Sequence, residues 1–387
     1  MSDKRPYILF RDDMRAENRL FAEPRACVIA RTIDEVRPAF RQLEGWQREG
    51  YWLAGYVAYE AGFAFEPKLA PLAPENRETP LVCMGVFDPP EISASANLAG
   101  SDAVIDTGAV LSNPQAAWDI RTYRQRFEAL HRHLRLGDCY QANLTMPVSA
   151  RWQGDAASLF QSLTARQPVR YGALAELGGP AIVSRSPELF FRVDATGMIE
   201  THPMKGTAAR GASPQEDREI IAAMLSDEKT LAENRMIVDL LRNDMSRIAE
   251  VGSVDVPKLF DIETYPTLHQ MVSHVRAKLL PDAGLGDIFE ALFPCGSITG
   301  APKLSAMQIL HRLETGPRDV YCGAIGWCDP VGPMQFSVAI RTITLFNDHR
   351  AVFNVGGGIV YDSKVEAEYR ECLLKARFAL ANQQLSS

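Results

Sequence analysis

Residues 321–380 read YCGAIGWCDPVGPMQFSVAIRTITLFNDHRAVFNVGGGIVYDSKVEAEYRECLLKARFAL. Strand-like runs recur at 321–328, 335–346 and 350–355, and no helix separates them. A final helix follows over roughly 364–382. Clustered strands without a regular strand–helix–strand rhythm favour α+β with antiparallel sheet over a doubly wound fold.

The upstream sequence fits the same class. CVIARTIDEVRPAFRQLEGWQREGYWLAGYVAYEAG starts as a strand, runs through an amphipathic helix on Val36, Phe40 and Leu43, then alternates as a second strand. The small, polar stretch DPPEISASANLAGSDAV marks a loop near 88–104, so residues 1–110 read as an N-terminal domain. From about residue 115 the texture changes, and 115–382 reads as a second unit. A helix over 121–137 precedes strands over 139–151, which takes in Cys139, and over 181–193. Helices follow over 214–225 and 227–249. No repeat and no low-complexity tract interrupts the chain.

Composition narrows the function class. The 387 residues are 46% hydrophobic and 23% charged, with a formal net charge of −7, an ordinary globular balance. The acidic balance argues against nucleic acid, which favours basic surfaces. The N-terminus MSDKRPYILFRDDMR has no apolar core of signal-peptide length, and no run approaches the ~18 apolar residues of a membrane span. Seven scattered cysteines without a CxxC pair read as reduced thiols of a cytoplasmic protein and argue against zinc.

Chemistry concentrates in a few stretches. On the final helix, Tyr369, Cys372, Leu373, Ala376 and Leu380 form the buried stripe, while Glu368, Glu371 and Lys375 share another face. One reading is an exposed face with an i,i+4 ion pair between Glu371 and Lys375. The other takes in the preceding FNVGGGIVYDS, where three glycines after a strand expose backbone N–H groups; the two segments together could hold an anion and a divalent cation. Glu233 lies off the apolar stripe (Ile237, Leu240, Leu241, Ile248) of DEKTLAENRMIVDLLRNDMSR. It is either a solvated helix residue or a third oxygen ligand in a site that suits Mg²⁺. FPCGSITGAPKLSAMQIL lacks the spacing of a phosphate loop; it reads as a tight turn into a helix, with Thr299 near the cap, Pro302 in the first turn, and free N–H groups suited to a carboxylate. In THPMKGTAARG (201–211), Lys205 sits where Asn, Asp or Ser would be the usual turn residue, so it is there either to be solvated or to do chemistry.

Taken together, SPELFFRV, HPMKGTAARG, AENRMIVDLLRND, GSVDVP, QMVSHV, FPCGSITGAPKLSAM, YCGAIGW and GGGIVYDS…EAEYRECLLKA resemble the chorismate-utilising enzymes, in that family's order and over about residues 115–380. The N-terminal stretch GYWLAGYVAYEAG resembles the matching domain of the members that aminate chorismate at C4. The resemblance implies two large antiparallel sheets packed as a sandwich, to which residues 1–110 also contribute, with helices outside and the site between the sheets. It implies chorismate as substrate and Mg²⁺ as cofactor. By position, Glu233 and Glu371 resemble the metal-coordinating carboxylates, with Glu368 reaching the metal directly or through water. Lys375, Arg341, Tyr321 and the backbone of Gly356, Gly357 and Gly358 would hold the substrate carboxylates, with Thr299 and Gly300 nearby. Glu188 matches the general acid that protonates the departing 4-hydroxyl.

The position of Lys205 separates the family's chemistries. Members that add ammonia directly at C2 carry a small residue there; members that aminate at C4 carry a lysine nucleophile. Water-using members place a lysine base where this chain has Gln141, which cannot deprotonate water. The resemblance therefore implies C4 amination towards 4-aminobenzoate and folate. Ammonia would come from a separate glutamine amidotransferase subunit, and a separate aminodeoxychorismate lyase would act downstream. The alternatives are an anthranilate synthase component and a chorismate sensor without turnover. Two departures stand out: Thr230 occupies a place where the family often has a carboxylate, and Gln270 stands where its HHLVS-like segment has a second histidine.

Overall fold

The computed structural model describes residues 5–75, 77–94, 110–265, 268–380 and 385. Two ten-stranded sheets dominate it, and every strand pairing among the described residues is antiparallel. The first sheet is built around the long strands Gln141–Gln153 and Arg350–Val360, which pair from Arg151 opposite Arg350 to Gln141 opposite Val360. The second has Leu268–Lys278 towards one end and Ala324–Cys328, Trp52–Val57 and Val82–Phe87 towards the other. Residues before 95 feed both sheets. Tyr7–Asp12, Glu17–Ala22 and Glu91–Ser93 extend the first, while Ala26–Ala30, Trp52–Val57 and Val82–Phe87 extend the second. The stretch expected as loop near 88–104 thus contains one short strand, and residues 95–104 lie outside the described ones.

The sheets pack face to face through Ile8, Phe21, Tyr56, Ala173, Ile182 and Ile325 among others. Helices cover the outer faces. Ile33–Arg48, Glu228–Ser246 and Leu285–Leu292 bury Phe40, Ile237 and Phe289 against the second sheet. Ile120–Leu136, Ala156–Arg166, Lys303–Leu313 and Val365–Leu380 bury Phe127, Phe160, Leu310 and Cys372 against the first. Asp119, Asp155 and Asp227 cap their helices by accepting the N–H of Thr122, Ser158 and Thr230, three residues on. This is the expected α+β sandwich with helices outside.

Four local expectations change. The runs 181–193 and 335–346 are not single strands. Each leaves one sheet and enters the other: Ala181–Ser186 lies in the first and Leu189–Val193 in the second, while Met334–Val338 lies in the second and Thr342–Leu345 in the first. Pro187 breaks one run, and Arg341 at φ 51° turns the other. The glycines 356–358 lie inside the strand Arg350–Val360 rather than after it, because the pairing with Gln141–Gln153 continues through them. Helix Lys303–Leu313 has Pro302, not Thr299, at its cap; Thr299 instead donates its hydroxyl to the carbonyls of Cys295 and Gly296. Cys139 is buried just ahead of its strand, since Tyr140 N–H donates to Ala301 O and regular pairing begins at Gln141.

Candidate active site

The two sheet crossovers lie side by side. Arg185 N–H donates to Arg341 O at 3.0 Å, and Val338 N–H donates to Glu188 O at 3.1 Å. Ser186 Oγ donates to Val338 O at 2.6 Å and accepts from Glu188 N–H at 3.2 Å. Glu188 is thus fixed where the chain passes between sheets, with 5% of its surface exposed. Ser297 Oγ donates to its Oε1 at 2.7 Å. Burial pushes the carboxyl up to about 7, against the opposing pull of Ser297, Lys205 and Lys375.

Lys205 reaches the same space from the edge strand Met204–Ala209 of the second sheet. A Cβ built on Gly358, in the first sheet, would stand 3.3 Å from Lys205 Nζ and 2.9 Å from Gln141 Nε2. The lysine amine therefore spans the gap between the sheets. Burial pushes it below the usual lysine range; Glu233, Glu188 and Glu371 oppose that shift, and Lys375 adds to it. Gln141 is fully buried, and neither its Oε1 nor its Nε2 has a hydrogen-bond partner among the described residues. An unpartnered buried carboxamide is costly, so both its groups call for a polar partner, whether ordered water or a ligand.

A carboxylate wall adjoins this space. A Cβ on Gly357 would stand 3.3 Å from Glu368 Oε2, 3.8 Å from Lys375 Nζ and 3.9 Å from Glu371 Oε1. The absent side chain leaves a cradle between strand and helix. Burial raises the carboxyls of Glu233 and Glu368, and in both cases the charge of Glu371 adds to the rise. Ser363 Oγ holds Glu368 Oε1 at 2.7 Å. Among the described residues no three His, Cys, Asp or Glu enclose an ion. The donor set nevertheless fits Mg²⁺, which takes one or two carboxylates and keeps its waters. The ion pair of the simpler reading is also present: Lys375 Nζ lies 2.7 Å from Glu371 Oε1, both side chains about half exposed, and donates to Gly356 O at 2.8 Å.

The other expected ligands divide. Arg341 carries a guanidinium with no hydrogen-bond or ion-pair partner among the described residues, and burial alone pushes it down, so it is free to meet an anion. Gly300, at φ 151°, pairs with Ala142 so closely that a Cβ would stand 2.2 Å from Gln141 O. Thr299 is buried and its hydroxyl is used by the loop. Tyr321 is buried in the core, with Cys322 and Arg318 as electrostatic neighbours and Cys372, on the helix that carries Glu371 and Lys375, acting on its hydroxyl as well. Sequence reasoning missed Ser297 and Arg318. The Arg318 guanidinium donates to Ile298 O at 3.0 Å and Asn143 O at 2.7 Å and so braces the loop that carries Ser297. Neither residue has a spacing that marks it, because each acts through bonds to residues distant in sequence.

Comparison with known proteins agrees with this arrangement. The model of the family described as chorismate binding enzyme matches residues 7–381. Aminodeoxychorismate synthase component 1 of Klebsiella aerogenes is 37% identical over 335 residues, covering 82% of this chain and 74% of that protein. An aminodeoxychorismate synthase of Streptomyces pristinaespiralis is 42% identical over 259 residues, covering 67% of this chain and 36% of the relative. The chain thus spans from about a third to about three quarters of the length of these relatives. Among solved structures, anthranilate synthase component I from Streptococcus pneumoniae superposes with a TM-score of 0.81 at 26% identity, covering 97% of this chain and 92% of that one.

Proposed function

The chain belongs to the chorismate-binding enzyme family, and from that premise we propose that it aminates chorismate at C4 to give 4-amino-4-deoxychorismate. The observation that carries this reading is the Lys205 amine, held between the sheets near the raised acid Glu188. A lysine pushed down by burial is available as a neutral nucleophile. In the first step Lys205 Nζ forms a bond to C2 of the ring, the two conjugated ring double bonds each shift by one position away from C2, and the C4–O bond breaks. Glu188 gives its proton to the leaving hydroxyl, which departs as water, and the new ammonium on Nζ releases a proton. In the second step ammonia bonds to C4, both ring double bonds shift back, and the C2–N bond returns its electron pair to Lys205, whose Nζ takes up the proton shed by the new ammonium on C4. The enolpyruvyl ether is never cleaved. Gln141 faces the same space with a carboxamide that cannot deprotonate water, which supports ammonia as the nucleophile.

The free guanidinium of Arg341 and the cradle at Gly357 and Gly358 would receive the substrate carboxylates. Glu233 and Glu371, with Glu368, would hold Mg²⁺, whose positive charge offsets a substrate carboxylate otherwise facing like charges. Relatives named component 1 point to a second component. Ammonia would come from a separate glutamine amidotransferase subunit, and a separate lyase would take the product to 4-aminobenzoate. Among the described residues no helix is long and apolar enough to cross a membrane, and we place the chain in the cytoplasm.

The test is the product. Incubated with chorismate, Mg²⁺ and an ammonium salt, the chain should yield 4-amino-4-deoxychorismate by mass. Lys205→Ala should lose that product by at least ~10² in rate. An unchanged rate in Lys205→Ala, or anthranilate with released pyruvate from the native chain, would overturn the proposal.

A further inference from the structure

Lys205 sits on an irregularity of its strand. Met204 pairs with Val272 and Thr207 with Gln270, so Lys205 and Gly206 together stand opposite Met271 alone. This is a β-bulge, and Gly206 occupies it at φ 89°. A bulge re-aims a side chain but frees ladder groups that need other partners.

Both sides of the bulge are held by side chains. Gln270 Nε2 donates to Gly206 O at 2.7 Å, and Gln270 Oε1 accepts from Thr207 Oγ1 at 2.7 Å. The amide thus uses both its functions on the two residues that follow Lys205. From the opposite side comes the first turn of helix Glu228–Ser246, capped by Asp227, whose carboxylate accepts from Thr230 N–H at 3.3 Å and also holds the Thr230 hydroxyl. A Cβ on Gly206 would stand 2.6 Å from Thr230 Cγ2. Gln270 and Thr230 are also the two positions that depart from the family pattern. The structure brings both onto Gly206.

We propose that Gln270 and Thr230 are positioning residues that clamp the bulge from its two sides and aim the Lys205 amine into the site. The proposal rests on the reading of Lys205 as nucleophile. A lysine side chain has four rotatable bonds, and its entropy is lost more cheaply when its backbone is already fixed. The clamp also has a consequence for the helix. Thr230 and Glu233 lie three residues apart on one face, so the turn that meets Gly206 is the turn that carries Glu233.

The test needs a readout besides turnover. Competitive acetylation with trace acetic anhydride, read by peptide mass spectrometry, gives the pH midpoint at which the Lys205 amine becomes reactive. The charged groups around that amine are Glu233, Lys375, Glu188 and Glu371, and the variants leave all of them in place. Gln270→Leu keeps the shape and removes both hydrogen bonds. The Lys205 midpoint should move up by about half a unit or more, towards the ordinary lysine range, as the side chain gains solvent. The kcat of C4 amination should fall at least about tenfold while the KM for chorismate stays within about twofold, as for an interaction that serves the reacting geometry. Thr207→Val removes one hydroxyl from an exposed side chain and should fold in any case; it should lower kcat about threefold in the same pattern. Native midpoint and native kcat in either folded variant would overturn the proposal. If the midpoint moves but the native chain makes no 4-amino product, the clamp stands and the C4-amination reading is what fails.

Discussion

Glu188 and Lys205 are pushed in opposite directions by one cause. Burial disfavours charge, so it raises the acid to about 7 and lowers the amine. The result is a carboxyl held protonated to higher pH and an amine that loses its proton at lower pH than usual, which brings the two roles that acid–base chemistry needs closer together. The sign of the pH dependence follows. Each unit of rising pH increases the neutral fraction of Lys205 tenfold until its own pKa is passed, while above about 7 it removes the protonated form of Glu188 at the same rate. In the native chain, a plot of log kcat/KM for chorismate against pH, with rates referred to free ammonia, should therefore bend downward by one unit of slope near pH 7. Glu188→Gln keeps an oxygen for the Ser297 hydroxyl but has no proton to give. It should lose the bend and at least ~10² in rate. A bend that survives in Glu188→Gln would assign the proton transfer to another group.

The strand Arg350–Val360 separates the work of three adjacent glycines. A Cβ on Gly356 would stand 2.4 Å from the backbone oxygen of Leu144, so pairing with Gln141–Gln153 would have to shift. The atoms nearest a Cβ on Gly357 would be the ends of Glu368, Lys375 and Glu371, at 3.3–3.9 Å. Gly356→Ala should cost about 1–3 kcal/mol of stability, read from the urea midpoint. Gly357→Ala should stay within about 0.5 kcal/mol of native stability. It should nevertheless raise the KM for chorismate about tenfold, a loss of roughly 1.4 kcal/mol, because its methyl fills the cradle. Equal stability losses in the two variants would remove the cradle reading. Elements of this kind were partly legible in the sequence. The stripe of Tyr369, Cys372 and Ala376 marked the final helix, and the antiparallel class followed from strands without helices between them. The crossovers were not legible. Residues 335–346 read as one strand because no Gly or Pro interrupts them and Ala339 and Ile340 bridge the two alternating runs; only a change of phase, from Met334, Phe336 and Val338 to Ile343 and Leu345, marks the change of sheet. The site residues Glu188 and Arg341 sit at those changes of sheet, which is why motif resemblance named them and periodicity did not.

Across the whole molecule, one buried chain of charges ties the N-terminal segment to both sheets. Glu60 accepts the N–H of Arg318 at 2.7 Å and of Asp319 at 3.2 Å. The Arg318 guanidinium pairs with Glu314 at 2.7 Å and reaches Asn143 O in the first sheet and Ile298 O in the site loop. Glu314 in turn accepts from Thr145 N–H and Oγ1, both at 2.9 Å. Burial pushes both Glu60 and Asp319 up, and each is a further charge in a dry space; among the described residues Asp319 Oδ1 has no hydrogen-bond partner. A carboxyl held above its unfolded value keeps a proton that the unfolded chain has already released. Its contribution to stability is full below the ordinary carboxylate range and is lost as pH rises through the folded value. The depressed carboxyls, such as Glu200 at about 2, act in the opposite sense and only at acid pH. Between about pH 5 and 8 the raised acids Glu60, Asp319 and Glu188 lower the slope, each by up to about 1.4 kcal/mol per unit while it lags behind the unfolded chain, and outnumber His274, which burial holds below its ordinary value and which acts in the opposite sense. Native stability should decline over that interval. Glu60→Gln removes the Glu60 share and leaves an amide that still accepts from Arg318 N–H but not from Asp319 N–H. Its stability at pH 5 should be lower by about 1 kcal/mol, and its decline towards pH 8 shallower. Urea unfolding at pH 5, 6.5 and 8 measures both quantities. Parallel curves for the two proteins would show that Glu60 is ionised in the native state, with the Arg318 N–H and the charge of Arg77 offsetting its burial.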